Sequence, residues 1–317
     1  MNLRLPTLFA AASLAAGSLT AASLTGCGRA PEPFSLQFAP LVDGAAVGCT
    51  DDLKGFGTST DHRVGINDLR FYVSNLKLTD SAGRTVEATL DKNEFQYDSA
   101  EGWVGLVDLT GNSDGTCATT MLGGGEGTGR THAAITGTTL LRDVAAVSFD
   151  VGVPQPVMKK VIADNTAEGA PSPLAELYWS WNSGYRHFVF NFTVRTSGNA
   201  SGEGYLHVGS RNCNAMGMKA LADRDACEFL NTPKVALTTF DLSKDKVGID
   251  LRKLLLGIDF VSPIYDANFA VIGMGPGVEC HSSPTQPDCG SVFGALGVEM
   301  ATGAAAPANN SAFVRAP

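Results

Sequence analysis

His187–Arg195 reads HFVFNFTVR, in which Phe188, Phe190, Phe192 and Val194 alternate with His187, Asn191, Thr193 and Arg195. Successive side chains of a strand point to opposite faces, so this period of two predicts an antiparallel strand with one buried and one wet face. Tyr205–Val208 follows a turn holding Gly198 and Gly202, which predicts a hairpin. Upstream, Asp68–Leu78 places Leu69, Phe71 and Val73 on one face; the apolar phase then slips from Asn75 to Leu76 and Leu78, as a β-bulge would cause. Phe34–Phe38, Ala145–Val153 and Lys234–Phe240 read as further strands. Helix is scarce. Asp250 can cap a short one with Leu251, Leu254 and Leu255 inward and Gly257 as its stop, and Pro156–Ala163 is a second candidate. No internal repeat is visible. The expected fold is all-β: an antiparallel, sandwich-like, disulfide-braced domain with long loops.

The first residues predict an address. Arg4 precedes an apolar, small-residue run from Leu8 to Leu24, and Leu24-Thr25-Gly26-Cys27 follows. A charged start, a short apolar core and a small-residue cleavage point make a secretory signal peptide. The run is too short and too rich in Ser and Thr to span a bilayer, which takes about 20 apolar residues. Cys27 directly after Leu-Thr-Gly resembles the bacterial lipobox, so residues 1–26 are expected to be removed and Cys27 lipidated. Two or more acyl chains anchor stably where one holds only marginally. Residues 27–33 then form a lipidated tether, 34–300 the β domain and 301–317, rich in Ala, Asn and Pro, a disordered tail. Gly28, in place of the Asp that retains enteric lipoproteins in the inner membrane, points to the outer membrane. The expected location is the cell envelope, lipid-anchored.

Charge and cysteines narrow the classes further. The whole chain carries 23 Lys and Arg against 32 Asp and Glu, an acidic balance that argues against nucleic acid and anionic lipid surfaces as partners. Seven cysteines less the lipidated one leave Cys49, Cys117, Cys213, Cys227, Cys280 and Cys289, an even count that reads as disulfides in an oxidising compartment. Fifteen pairings are possible. Proximity favours Cys213–Cys227 and Cys280–Cys289, leaving Cys49–Cys117; a zinc site at Cys280, His281 and Cys289 is the alternative. No catalytic constellation is legible: there is no G-x-S-x-G elbow and no HExxH, and Gly123–Gly127 lacks the GK[ST] of a phosphate loop. Asp51 and Asp52 read as solvated turn residues. The chain is therefore not expected to be an enzyme.

Tyr178-Trp179-Ser180-Trp181-Asn182-Ser183-Gly184-Tyr185 holds two of the three tryptophans, two apart and so on one face if the stretch is a strand. Aromatics dominate cores, and packing is the plain explanation. Taken with Asp68–Asn75, Val151-Gly152-Val153-Pro154, and His207-Val208-Gly209-Ser210 with Cys213, however, the order and identity of these segments resemble the MbnP-like family over residues 34 to 260. These are the metallo-mystery pair four-cysteine proteins found beside di-haem, cytochrome c peroxidase-like (MbnH-like) partners. The resemblance implies an envelope copper-binding protein, acting in metal acquisition or storage, whose tryptophan the partner oxidises to kynurenine. The modified residue is then Trp179 or Trp181, expected near the surface, and His207 is the leading copper ligand. Family members often place Asn-His shortly after the Val-Pro; here Val157-Met158-Lys159-Lys160 stands instead, which makes His132 and His62 the substitute ligands. The competing expectation is a metal-free β-sandwich module that docks a haem protein or another envelope component.

Overall fold

The computed structural model describes residues 30–111, 131–164, 170–179, 184–213 and 227–317. In chain order these form β1 (Glu32–Val42), β2 (His62–Asp80), β3 (Gly102–Asp108), β4 (Ala134–Thr139), β5 (Val144–Val151), α1 (Gln155–Asp164), β6 (Tyr178–Trp179) and β7 (Gly184–Arg195). There follow β8 (Ser201–Gly209), β9 (Lys234–Leu237), β10 (Lys246–Asp250), α2 (Leu251–Leu254), β11 (Val261–Tyr265), β12 (Val271–Cys280), α3 (Pro287–Ala295) and β13 (Phe313–Ala316), besides several shorter strands. One sheet runs β13–β10–β1–β4; the larger runs β9–β5–β2–β7–β8–β12–β11, with β3 also on β2 and β6 on β7. Pairing is antiparallel except for β1 with β10 and β8 with β12. The architecture is thus β-rich with little helix, and its mixed sheets do not close into a barrel.

The two sheets pack through the faces the alternation marks as apolar. Phe188, Phe190, Phe192 and Val194 of β7 join Leu69, Phe71 and Val73 of β2 in the main core. Phe38 of the facing sheet meets Phe71 and Phe149 edge-on at 5.6 and 5.9 Å, favourable geometry for ring quadrupoles. The slip in β2 is a bulge: Ser148 pairs with Lys77 and Asp150 with Ser74, so Asn75 and Leu76 oppose Phe149, and Asn75 adopts φ 52°. A second bulge leaves Asn67 and Asp68 opposite Asn191. The Asp250 side chain caps α2 by accepting from Lys253 N at 3.1 Å, with Leu251, Leu254 and Leu255 buried as expected.

Two expectations are overturned. The polar side of β7 is not wet: His187 and Asn191 are buried, and only Arg195 is exposed. A second apolar layer covers that face: Val157, Met158 and Val161 of α1 with Leu174 and Leu177 cluster with Val189 of β7 and Val104 and Leu106 of β3. Residues 301–317 are no disordered tail, because β13 closes the smaller sheet on β10 with Phe313 buried against Phe71. Their low-complexity composition concealed Phe313 and Val314. The tether is also shorter than expected, since β1 begins at Glu32. Cys27, Cys117, Trp181 and Gly123–Gly127 lie outside the described residues. Cys213–Cys227 and Cys280–Cys289 are bonded, and Cys49 is disulfide-bonded as well.

Candidate metal centre

On the covered face of the larger sheet, β8 carries His207 at the position opposite Val189 of β7, and β12 ends at Cys280, opposite Leu206, so that His281 arrives beside His207. The imidazoles face each other Nδ1 to Nδ1 at 3.0 Å, with ring centroids 4.7 Å apart. His207 Nε2–H donates to Asn191 Oδ1 at 2.8 Å. That acceptor sets the tautomer and leaves Nδ1 with its lone pair turned towards His281. Burial, the neighbouring His281 and the guanidiniums of Arg186 and Arg70 hold His207 well below the usual histidine range. Burial lowers His281 too, against the opposing pull of Glu279. Both rings are therefore neutral, the form that ligates metals.

Trp179 completes the group. Its indole meets the His207 ring edge-on, centroids 6.4 Å apart. The antiparallel strand pairing opposes Trp179 to Gly184, and Trp179 ends β6. The stretch leading into β6 is anchored to the sheet: Tyr72 Oη donates to Pro173 O at 2.9 Å and accepts from Leu177 N at 3.1 Å, while Arg70 Nη1 donates to Glu176 Oε2 at 3.2 Å. Arg70 itself is fixed by two 2.7 Å bonds to buried Asp68. Gly184 is where Ser210 and Cys213 pack; a Cβ there would overlap Ser210 Oγ and approach Cys213 Sγ to 2.8 Å. The segments that carry the resemblance thus converge: Gly184, Ser210 and Cys213 press together beside His207 and Trp179. Trp179 is only 5 % exposed, so the expectation of a near-surface indole is overturned at this position.

The structure separates the other expected ligands from His207. His207, Val189, Arg70, Asp108 and His132 lie in one row across four strand steps, about 19 Å at the usual inter-strand spacing. His132 stacks on Phe95 at 4.1 Å. His62 stands eight residues from Arg70 along β2, roughly 26 Å at strand rise, stacked on Phe260 and 3.0 Å from Asp61. His281, expected only in the zinc alternative, is the histidine that joins His207. Cys280 and Cys289 are spent on their disulfide in the main core, which removes that alternative. Among the described residues no three His, Cys, Asp or Glu side chains form a metal-holding group. Two imidazole nitrogens and one indole edge are what this place offers, a set that suits a nitrogen-bound ion such as copper only if the indole position supplies a third donor.

A family model described as MbnP matches residues 31–272. A solved structure, MbnP from Methylosinus trichosporium, is similar with a TM-score of 0.66 at 23 % identity, covering 91 % of this chain and 99 % of that one, a likeness of fold. No curated protein matches the sequence. With the matched span taking in most strands of both sheets, His207, Trp179 and the Cys213–Cys227 bridge, this chain belongs to the MbnP family.

Proposed function

We propose that this protein binds copper in the cell envelope, lipid-anchored at Cys27, as cargo for acquisition or storage and without turnover of its own. In this reading Trp179 is oxidised to kynurenine by a di-haem, peroxidase-like partner, and the new aryl amine joins His207 and His281 around the metal. The observation that carries it is the meeting of the Trp179 edge with His207, whose Nδ1 is hydrogen-bonded to that of His281 at 3.0 Å. Oxidation cleaves the indole C2–C3 bond: two waters supply the two oxygen atoms, and the four electrons and four protons released reduce two equivalents of peroxide to four waters at the partner. Hydrolysis then releases the formyl carbon as formate, for a net gain of about 4 Da. Burial of Trp179 keeps the oxidant from direct contact, so the partner must draw electrons through the protein.

Co-expression with the di-haem partner, followed by peroxide treatment, peptide mass spectrometry and copper titration, tests this. The gain should map to Trp179 and vanish in Trp179→Phe but persist in Trp181→Phe. His207→Ala and His281→Ala should each weaken copper binding about tenfold or more, while His132→Ala and His62→Ala leave it unchanged. Unmodified mass, or copper affinity indifferent to His281→Ala, would overturn the proposal.

A further inference from the structure

The largest unexplained feature is the β11–β12 ribbon. Val261, Ile264, Tyr265, Phe269, Val271, Ile272 and Met274 all expose large apolar side chains along this one hairpin, Phe269 to 87 %. Large apolar side chains exposed in this number on one hairpin mark an interaction site. The tip is ordered: Asp266 Oδ1 accepts from Asn268 N and Ala270 N at 2.8 and 2.9 Å, and Asp266 N donates to Ala270 O at 2.9 Å. Phe269 sits in that turn at φ 62°, a left-handed conformation unfavourable for a bulky residue. A phenyl ring both strained and solvated gains nothing for the fold, and such strain is kept where it serves recognition.

The ribbon borders the metal centre. Tyr265 Oη lies 3.5 Å from Glu279 Oε2, and Glu279 Oε1 lies 3.8 Å from His281 Nε2. The charged side chains on the ribbon and at its base are acidic: Asp266 in the turn, Glu279 on β12, and Asp259 and Asp288 beside Glu279, and the sequence has no Lys or Arg between Lys253 and Arg315. An apolar surface with an acidic rim complements a protein whose apolar face is rimmed by basic residues. The same rim opposes a second copy of itself and an anionic bilayer. Pro263 within edge strand β11 disfavours strand addition, leaving the faces and tip as the contact.

We propose that the β11–β12 ribbon, with Phe269 at its tip, is the docking arm for the basic-rimmed redox protein that oxidises Trp179. The identity of that partner rests on the function proposed above; the surface does not. Phe269→Asn tests it cleanly, because Asn tolerates the left-handed turn and suits water, so the fold should keep or raise its melting temperature. Binding of the purified di-haem protein to the immobilised full chain should fall at least tenfold in Phe269→Asn and in Ile272→Asn. Wild-type binding should weaken from low to high salt. Undiminished affinity in both variants overturns the proposal. So does a wild-type dimer in sedimentation that Phe269→Asn dissolves, or capture by phosphatidylcholine vesicles that Phe269→Asn abolishes. If peroxide and the partner convert Trp179 equally in wild type and Phe269→Asn, the docking arm fails and the copper reading stands. If wild type binds through the ribbon but Trp179 is never converted, the copper reading fails and the arm stands.

Discussion

Lowering the pH from 7 to 5 should cost the folded chain about 2 kcal/mol through His187 alone. This imidazole is fully buried, accepting from Val153 N at 3.3 Å through Nδ1 and donating to Leu230 O at 2.9 Å through Nε2. The Val153 bond needs the neutral ring, because only there does Nδ1 keep a lone pair, whereas the Leu230 bond survives protonation. Burial pushes its pKa from 6.5 down to about 4, only partly offset by the carbonyl of Leu230. In the unfolded chain His187 takes up a proton near 6.5, so between there and about 4 the unfolded state binds more protons. Stability from this group is therefore complete above pH 6.5 and is lost as pH falls towards 4, roughly 3 kcal/mol at the limit. Urea unfolding at pH 7 and pH 5, disulfides intact, would measure it against His187→Gln, which cannot titrate. The drop in unfolding free energy between the two pH values should be about 2 kcal/mol smaller in the variant. Equal drops in the two proteins, or an NMR titration of the His187 ring centred near 6.5, would refute the reasoning.

The Cys280–Cys289 bridge closes a nine-residue separation directly before His281. Cys280→Ser with Cys289→Ser should lower the unfolding free energy by about 2.5 kcal/mol on loop-closure arithmetic and weaken copper binding although no ligand is removed. Urea denaturation and a copper competition titration check both; unchanged affinity would mean that His281 is held without the bridge. At the other end, Cys27→Ser should move the protein from membrane to soluble fractions or leave it unprocessed, as fractionation and immunoblotting would show. Normal processing with unchanged membrane retention would count against the lipid anchor.

Local pattern determined much of the fold without any tertiary information. The alternation in β7, the hairpin to β8, the bulge at Asn75–Leu76 and the Asp250 cap are legible because each depends on side-chain direction or hydrogen bonding within a few residues. His207 and Trp179 were reachable through the order of short segments that resemble a family. What the sequence could not decide is which faces end up covered. Asn191 looks like a solvent-facing polar residue, yet it is 1 % exposed and orients His207, because α1 and residues 170–179 fold over that side of the sheet. His281 lies 74 positions from His207 and meets it only through the parallel pairing of β8 with β12, a contact no local periodicity encodes. Gly152 in Val-Gly-Val-Pro is explained the same way: at φ 144° its absent Cβ leaves room for the His187 ring, which would otherwise lie 2.7 Å away. Propensity and alternation act along the chain, whereas the pairing of imidazoles and the burial of their partners are set by which strands become neighbours. Strand order is fixed by the packing of whole faces, so the candidate metal centre belongs to the tertiary structure even though each of its residues can be read in the sequence.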